Sequence, residues 1–276
     1  MELRATSYKT VDRVAIITLR RPERGNAWTG RMHAEYLHSI AQAERDPAVR
    51  VIVVTGDGRA FCVGGDADAL DGHAERGGYD DGLAAGGDRS STQDRAGYGI
   101  DAEFDHQFAF HFGLATPVIA AINGPAAGIG LALACFADLR FAVPGAKLTT
   151  AHGKLNLPPE FGLSWILPRH IGLTRAMDLL LTSRVFMTDE AHQLGLVNRL
   201  VEPDQLLAAT LDYAEQLAST VSAGALRATR RMVYQDQHRG VGASVTDSLD
   251  RLDQMMGEPD YRKGVAALRD KRPPDF

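Results

Sequence analysis

Ala60-Phe61-Cys62-Val63-Gly64-Gly65-Asp66 and, further along, Asn123-Gly124-Pro125-Ala126-Ala127-Gly128-Ile129-Gly130 carry most of the structural information in this chain. Each is a glycine-rich turn that follows a short apolar run, Val51–Val54 in the first case and Val118–Ile122 in the second. Each then leads into a segment with helical spacing. A strand-to-helix corner of this kind presents backbone N–H groups at a helix N-terminus, where donors lack partners and partial positive charge accumulates. Two such corners converging on one point would form an oxyanion hole, which stabilises charge developing on a carbonyl oxygen.

Outward from the corners, apolar runs alternate with helical stretches. Val14–Leu19 is a β-branched run stopped by Arg20-Arg21-Pro22, and Val51–Val54 is closed by Gly56-Asp57-Gly58. Val118–Ile122 and Leu139–Val143 are further strands, and Thr29–Ala43 has helical spacing with Met32, Leu37, Ile40 and Ala41 near one face. The alternation predicts an α/β protein. Beyond Thr174 the pattern predicts only helices, with Thr174 and Thr188 at N-cap positions and Gly195 at a helix end. Leu207, Leu211, Ala214 and Leu217 are expected to form one apolar face. Residues 71–99 differ from their surroundings: they are rich in glycine, carry scattered Asp and Arg, and hold few large apolar side chains. Ordering so many glycines is entropically costly, so this insert is expected to be a mobile loop, either walling a pocket behind the first corner or running over the surface.

The 276 residues are enough for a sizeable core, and 45% hydrophobic with 24% charged residues is an ordinary globular balance. A net charge of −5 without a basic stripe argues against a general nucleic-acid binder, while leaving room for a local basic site. Two cysteines, Cys62 and Cys135, make no disulfide framework and suit a reducing compartment. Met1–Ser7 has no apolar signal-like core, and Ile129–Ala137 is too short to span a bilayer. The expectation is a soluble cytoplasmic protein with no membrane partner. Gly128-Ile129-Gly130 is not a dinucleotide fingerprint, because Leu133 stands where a third small residue belongs. No grouping of His, Cys or carboxylates has metal-ligand spacing.

Five landmarks in order resemble the crotonase, or enoyl-CoA hydratase/isomerase, superfamily. They are Arg21-Pro22-Glu23-Arg24-Gly25-Asn26-Ala27, the paired corners, Leu167-Pro168-Arg169, Glu190–Val197, and the tail Arg272-Pro273-Pro274-Asp275-Phe276. The likeness thins between Asp71 and Gln107. It implies a spiral of ββα units over residues 1–200 and a C-terminal helical region over 201–276. Those helices would build a trimer or a dimer of trimers; the plainer alternative is that they cap the chain's own core. The ligand implied is an acyl-CoA thioester, with coenzyme A arriving as part of the substrate and no separate cofactor. Carried across residue by residue, the oxyanion N–H groups fall on Gly65 and Ile129. The CoA and substrate contacts fall on Arg24 and Ala27, on Cys62, Gly64, Asp66, Ala67 and Asp68 around the first corner, on Gly128, and on Pro159. Cys62 also reads simply as a small packed residue, since nothing flanking it would depress a thiol pKa.

The acid–base positions depart from the hydratase pattern. Hydratases of the family use two glutamates to hold and activate water, and these positions fall here on Ala132 and His152. Alanine cannot move a proton, so two-carboxylate hydration is not expected. Glu160, eight residues after His152, stands where some isomerases of the family place an Asp or Glu. As a single base it would suit a double-bond shift; alternatively it is a turn carboxylate after Pro158-Pro159. His152 is either a chemical participant, as in some carbon–carbon-cleaving relatives, or a packed pocket residue. Asp138 is expected to be a buried partner for an arginine. The resulting expectation is an enoyl-CoA isomerase-like enzyme, with a broad-sense hydratase, a His152-led hydrolase and a silent acyl-CoA binder as its rivals.

Overall fold

The computed structural model describes residues 1–76 and 95–276. Ten α-helices and nine strands make up these residues, and the four apolar runs read as strands are found at Val14–Leu19, Val51–Gly56, Val118–Ile122 and Leu139–Ala142. Strands β1 (Thr6–Val11), β2 (Val14–Leu19), β3 (Val51–Gly56) and β4 (Val118–Ile122) lie side by side in one sheet. The sheet continues through β6 (Leu139–Ala142) to β9 (Arg199–Leu200), and every pair except β1–β2 is parallel. β5 (Ala126–Ala127), β7 (Lys147–Thr149) and β8 (Phe186–Met187) make a second, smaller sheet.

Alternation along the central strands divides the core between two faces. Ile52 and Val54 of β3 point into the larger cluster, with Met32, Tyr36 and Ile40 of α1 (Gly30–Arg45). Leu131 and Leu133 of α3 (Ile129–Phe136) lie in that same cluster. Val51 and Val53 face the opposite way, onto α7 (Leu206–Thr220). Both faces are covered, which is why these runs are continuously apolar. Thr29 caps α1 by accepting the Met32 N–H, and Gly195, at φ +87°, ends the chain's run out of α6 (Thr188–Gln193).

Several local expectations are corrected. The chain beyond Thr174 is not wholly helical: β8 pairs with β7 and β9 with β6, two-residue strands too short to show any period of their own. Neither threonine is an N-cap. α5 (Leu173–Thr182) starts from Gly172, and Thr188 Oγ1 instead donates to the Val143 carbonyl while accepting the Ala146 N–H. On α7 the buried stripe is Leu206, Thr210, Ala214 and Ala218, with Leu207 exposed and Leu211 and Leu217 half-buried. Small Ala214 and Ala218 let the helix lie close on the sheet, and that sets which face turns inward. Within the insert expected over 71–99, Asp71–Arg76 belongs to α2 (Ala67–Arg76), because Asp66 caps that helix by accepting the Asp68 N–H. At the far end Tyr98 stacks on Phe110 at 5.5 Å. Residues 77–94 of the insert lie outside the described residues.

Asp138 does pair with an arginine. Arg230 of α8 (Ala223–Gln235) holds it at 2.8 Å, Tyr234 donates to it at 2.6 Å, and it accepts the Val118 N–H. That buried cluster ties α8 to β4. Helices α4 (Leu163–Ile171), α9 (Val241–Met256) and α10 (Pro259–Arg269) complete the chain. α9 buries none of its residues: Val241, Val245, Leu249, Leu252 and Met256 recur along one side and all stay exposed, Val241 by 80%. Among the described residues no helix is long and apolar enough to cross a membrane.

Candidate active site

Backbone pairing brings the two glycine-rich corners into register. Cys62 bridges Ala126 in parallel, the Ala127 N–H donates to the Cys62 carbonyl at 3.0 Å, and Phe61 and Cys62 both donate to the Pro125 carbonyl. Gly65 and Ile129 therefore each lie three residues past a paired position, at the same end of adjacent segments. Gly65 is exposed and opposite Trp28, whose N–H and carbonyl engage Gly64 and Asp66 but leave the Gly65 N–H unused. Ile129 is the first residue of α3 and its side chain joins the core, so its backbone amide is left facing out of the helix end. Among the described residues neither the Gly65 nor the Ile129 N–H has a hydrogen-bond acceptor. Two open backbone donors of this kind are chemically able to bind a ligand oxygen.

Two glycines make this approach possible. Gly128 has φ +48° and ψ −116°, close to the first central position of a type II′ turn, where L side chains are disfavoured. Gly130 lies so near the first corner that an added Cβ would sit 2.1 Å from the Cys62 carbonyl oxygen.

The remaining first-corner residues are mostly occupied with structure. Cys62 is fully buried, and burial pushes its thiol up to about 12, so it is a neutral packing group. Burial also tends to raise the Asp66 carboxyl, but the Arg21 hydrogen bond, the Asp68 N–H and the Arg21 and Arg24 charges outweigh it and hold the pKa below its usual value. Arg21 reaches Asp66 at 2.7 Å and the Ala27 carbonyl at 2.8 Å. Asn26 is buried and donates to the Asp57 and Ala60 carbonyls, so the Arg21–Ala27 motif is the clamp that holds the first corner. Arg24 and Asp68 face solvent 3.5 Å apart, an exposed pair of little energetic weight. Ala67 opens α2. Beside this turn runs an open groove that includes Arg4, Arg20, Arg21 and Arg31, partly balanced by Glu23 and Asp57.

A third segment adjoins the second corner. Ala127 of β5 pairs with Thr149 of β7, and the Gly128 N–H donates to the Thr149 carbonyl at 3.1 Å. Three residues further on, His152 is 4% exposed and opens a 3-10 turn over His152–Leu155. Ala132, in the second turn of α3, is fully buried among apolar side chains. Glu160 and Pro159 are half-buried on the loop that leads into α4, and the Glu160 carbonyl accepts the Leu163 N–H.

An aromatic cluster, unforeseen from the sequence, spans the space between these segments. Phe108, fully buried at φ +59°, lies 5.6 Å from Trp28 beside Gly65 and 5.7 Å from Phe161 beside Glu160. Its strained backbone is fastened by His111: Nδ1 donates to the Phe108 carbonyl at 2.6 Å, leaving Nε2 to accept the Tyr36 hydroxyl at 2.7 Å. Burial pushes His111 down to about 4, so it stays neutral and keeps this tautomer. The available signal was the density of Phe104, Phe108, Phe110 and Phe112 directly after the glycine-rich insert.

The family described as Enoyl-CoA hydratase/isomerase matches residues 9–276. The 1,2-epoxyphenylacetyl-CoA isomerase of Escherichia coli K12 is 32% identical over 273 residues, covering 95% of this chain and 94% of its own. Among solved structures, an enoyl-CoA hydratase from Polaromonas sp. JS666 superposes with a TM-score of 0.84 at 26% identity, covering 99% of this chain and 100% of that one. One from Bacillus anthracis gives 0.83 at 26% identity, covering 99% of each. The α/β fold with its helical C-terminal region is thus shared over nearly the whole length, and the chain belongs to the enoyl-CoA hydratase/isomerase family.

Proposed function

We propose that this protein is an acyl-CoA enzyme that shifts the double bond of an enoyl-CoA. The observation that carries the reading is the pair of unused N–H groups at Gly65 and Ile129, in register at the ends of adjacent segments. They would hold the thioester oxygen, and each such donor is typically worth ~2.7–4 kcal/mol in the transition state. Removing a proton from C2 of a 3-enoyl-CoA places the electron pair on that oxygen as a dienolate. Glu160 takes the proton, and its carboxylic acid returns it to C4, leaving the 2-enoyl-CoA with no net gain or loss of atoms. Ala132 speaks against hydration, because a buried methyl group at that position cannot help hold or activate water. The arginine-lined groove beside Arg21 supports an anionic ligand. Arg24, Ala27, Gly64, Asp66, Ala67, Asp68, Gly128 and Pro159 are proposed to line the path of the CoA ester, whereas Cys62, fully buried, backs the first corner from within and is not a ligand contact.

The test is direct. Purified protein should convert a 3-enoyl-CoA to the 2-enoyl-CoA, followed by absorbance of the conjugated thioester, at least tenfold faster than it hydrates the 2-enoyl-CoA. Hydration as the faster reaction would overturn the isomerase reading.

The same reading assigns the exposed apolar stripe of α9, together with Leu268 of α10, to contacts between copies of the chain in a trimer or hexamer. Light scattering at micromolar concentration should return three or six times the 29.8 kDa chain mass; a monomer mass would count against it.

A further inference from the structure

Arg140, in β6, is 5% exposed and carries a charge that no carboxylate contacts among the described residues. Its guanidinium donates only to main-chain carbonyls: Leu196 at 2.6 Å, Ala134 at 3.2 Å, Cys135 at 3.3 Å, Ala137 at 2.6 Å and Asp138 at 3.4 Å. The Asp138 carboxylate is turned away, onto Arg230, Tyr234 and the Val118 N–H. The other ionisable groups around Arg140 are neutral. Burial pushes the Cys135 thiol up to about 12 and raises the Tyr234 hydroxyl, and it pulls His170, which donates to the Cys135 carbonyl, down to about 4. Burial lowers the guanidinium as well, yet arginine stays protonated. A buried charge without a counterion is costly, and hydrogen bonds to carbonyls need only a neutral donor. The charge therefore calls for a reason.

Ala134, Cys135, Ala137 and Asp138 form the C-terminal end of α3 and its exit, where unpaired C=O groups carry partial negative charge. Arg140 answers that charge. All eight residues of α3 are buried, so solvent screens little along its length of about 12 Å. At the opposite end of the same helix is the open Ile129 N–H. Resting on the acyl-CoA reading of the site, we infer that Arg140 is a positioning residue for the reaction: its charge, acting through α3, strengthens the field that the Ile129 N–H presents to the thioester oxygen. Neutralising the negative end of the helix leaves its positive end unopposed, and the guanidinium itself attracts the charge that develops on that oxygen. A hydrogen-bond length of about 3 Å at each end puts the two roughly 18 Å apart. In an effective dielectric of ~20, a unit charge at that distance is worth about fivefold in rate. No contact between Arg140 and the ligand is involved.

The experiment reads the carbonyl itself. Butyryl-CoA, isotope-labelled at the thioester carbonyl, is followed by difference infrared spectroscopy, free and bound to wild type, Arg140→Gln and Arg140→Lys, with kcat on a 3-enoyl-CoA measured alongside. Spectra are taken at about pH 6, where an introduced ammonium keeps its proton. On wild type the carbonyl stretch should fall below its free value. Arg140→Gln, which keeps amide donors but no charge, should lose part of that downshift and about fivefold in kcat, with Kd for butyryl-CoA changed less. Arg140→Lys, which keeps the charge but not the planar fork of donors, should retain most of the downshift. Both should melt earlier than wild type, because each leaves buried carbonyls unpaired. A merely structural cap would lower both melting temperatures and affect the stretch of the two variants alike. An Arg140→Gln stretch equal to that of wild type overturns the inference, and so does a loss in Arg140→Lys as large as in Arg140→Gln. Should Arg140→Gln not fold, Arg140→Lys decides: a downshift lost there overturns the inference, and one retained sustains it. Failure of the acyl-CoA reading looks different, since wild type would then bind butyryl-CoA no more tightly than free CoA.

Discussion

Glu160→Gln lowers the rate of double-bond migration by about 10²–10⁴-fold, the usual loss when a positioned acid–base group is removed, with acyl-CoA affinity nearly unchanged. The amide keeps the shape of the half-buried side chain beside Phe161 but cannot take a proton from C2 or return one to C4. The loss should fall on kcat, because the interaction removed is realised only as the proton moves. Calorimetric Kd for a saturated acyl-CoA, measured alongside kcat on a 3-enoyl-CoA, separates this from a binding defect. If Glu160→Gln keeps full activity while a His152 variant is inactive, the proton carrier is misassigned and hydrolytic carbon–carbon cleavage becomes the stronger reading. If wild type binds both 2- and 3-enoyl-CoA but turns over neither, the protein is an acyl-CoA binder.

The second large effect is expected from Gly130→Ala. An added methyl would stand 2.1 Å from the Cys62 carbonyl oxygen, a backbone atom that cannot swing aside. Relief requires the N-terminus of α3 to move away from the first corner, and the Ile129 N–H moves with it. Losing one oxyanion donor typically costs about 10²–10³-fold in kcat. The overpacking itself should also lower stability by about 1–3 kcal/mol, readable as an earlier denaturation midpoint. Ala134→Gly is the control: it lies on the same helix, removes a buried methyl, and loosens the packing without pressing on the corner. A Gly130→Ala enzyme with wild-type kcat would show that the α3 N-terminus does not hold the reacting oxygen.

The sequence by itself determined the features whose cause is local. β-branched runs doubly buried in a parallel sheet read as strands because both faces must be apolar, and Val51–Val54 and Val118–Ile122 were therefore visible. The two glycine corners were visible because turn chemistry acts within a few residues, whereas the cap of α1 at Thr29 emerged only from the structure. The absence of a carboxylate at Ala132 needed no structure at all. What only the tertiary structure decided was everything set by pairing between distant segments. β8 and β9 exist because a neighbouring strand supplies their hydrogen bonds, and two residues carry no periodicity. The buried side of α7 follows from where the sheet lies, so Leu207, apolar by type, is left in solvent while Thr210 is buried. The same holds at the site. Parallel pairing of Cys62 with Ala126, and of Ala127 with Thr149, puts Gly65, Ile129 and His152 on adjacent segments at one end of the small sheet. The Phe108 cluster and the unpartnered Nδ1 of His152 arise from that packing, since whether a polar atom is satisfied depends on what the rest of the chain brings to it.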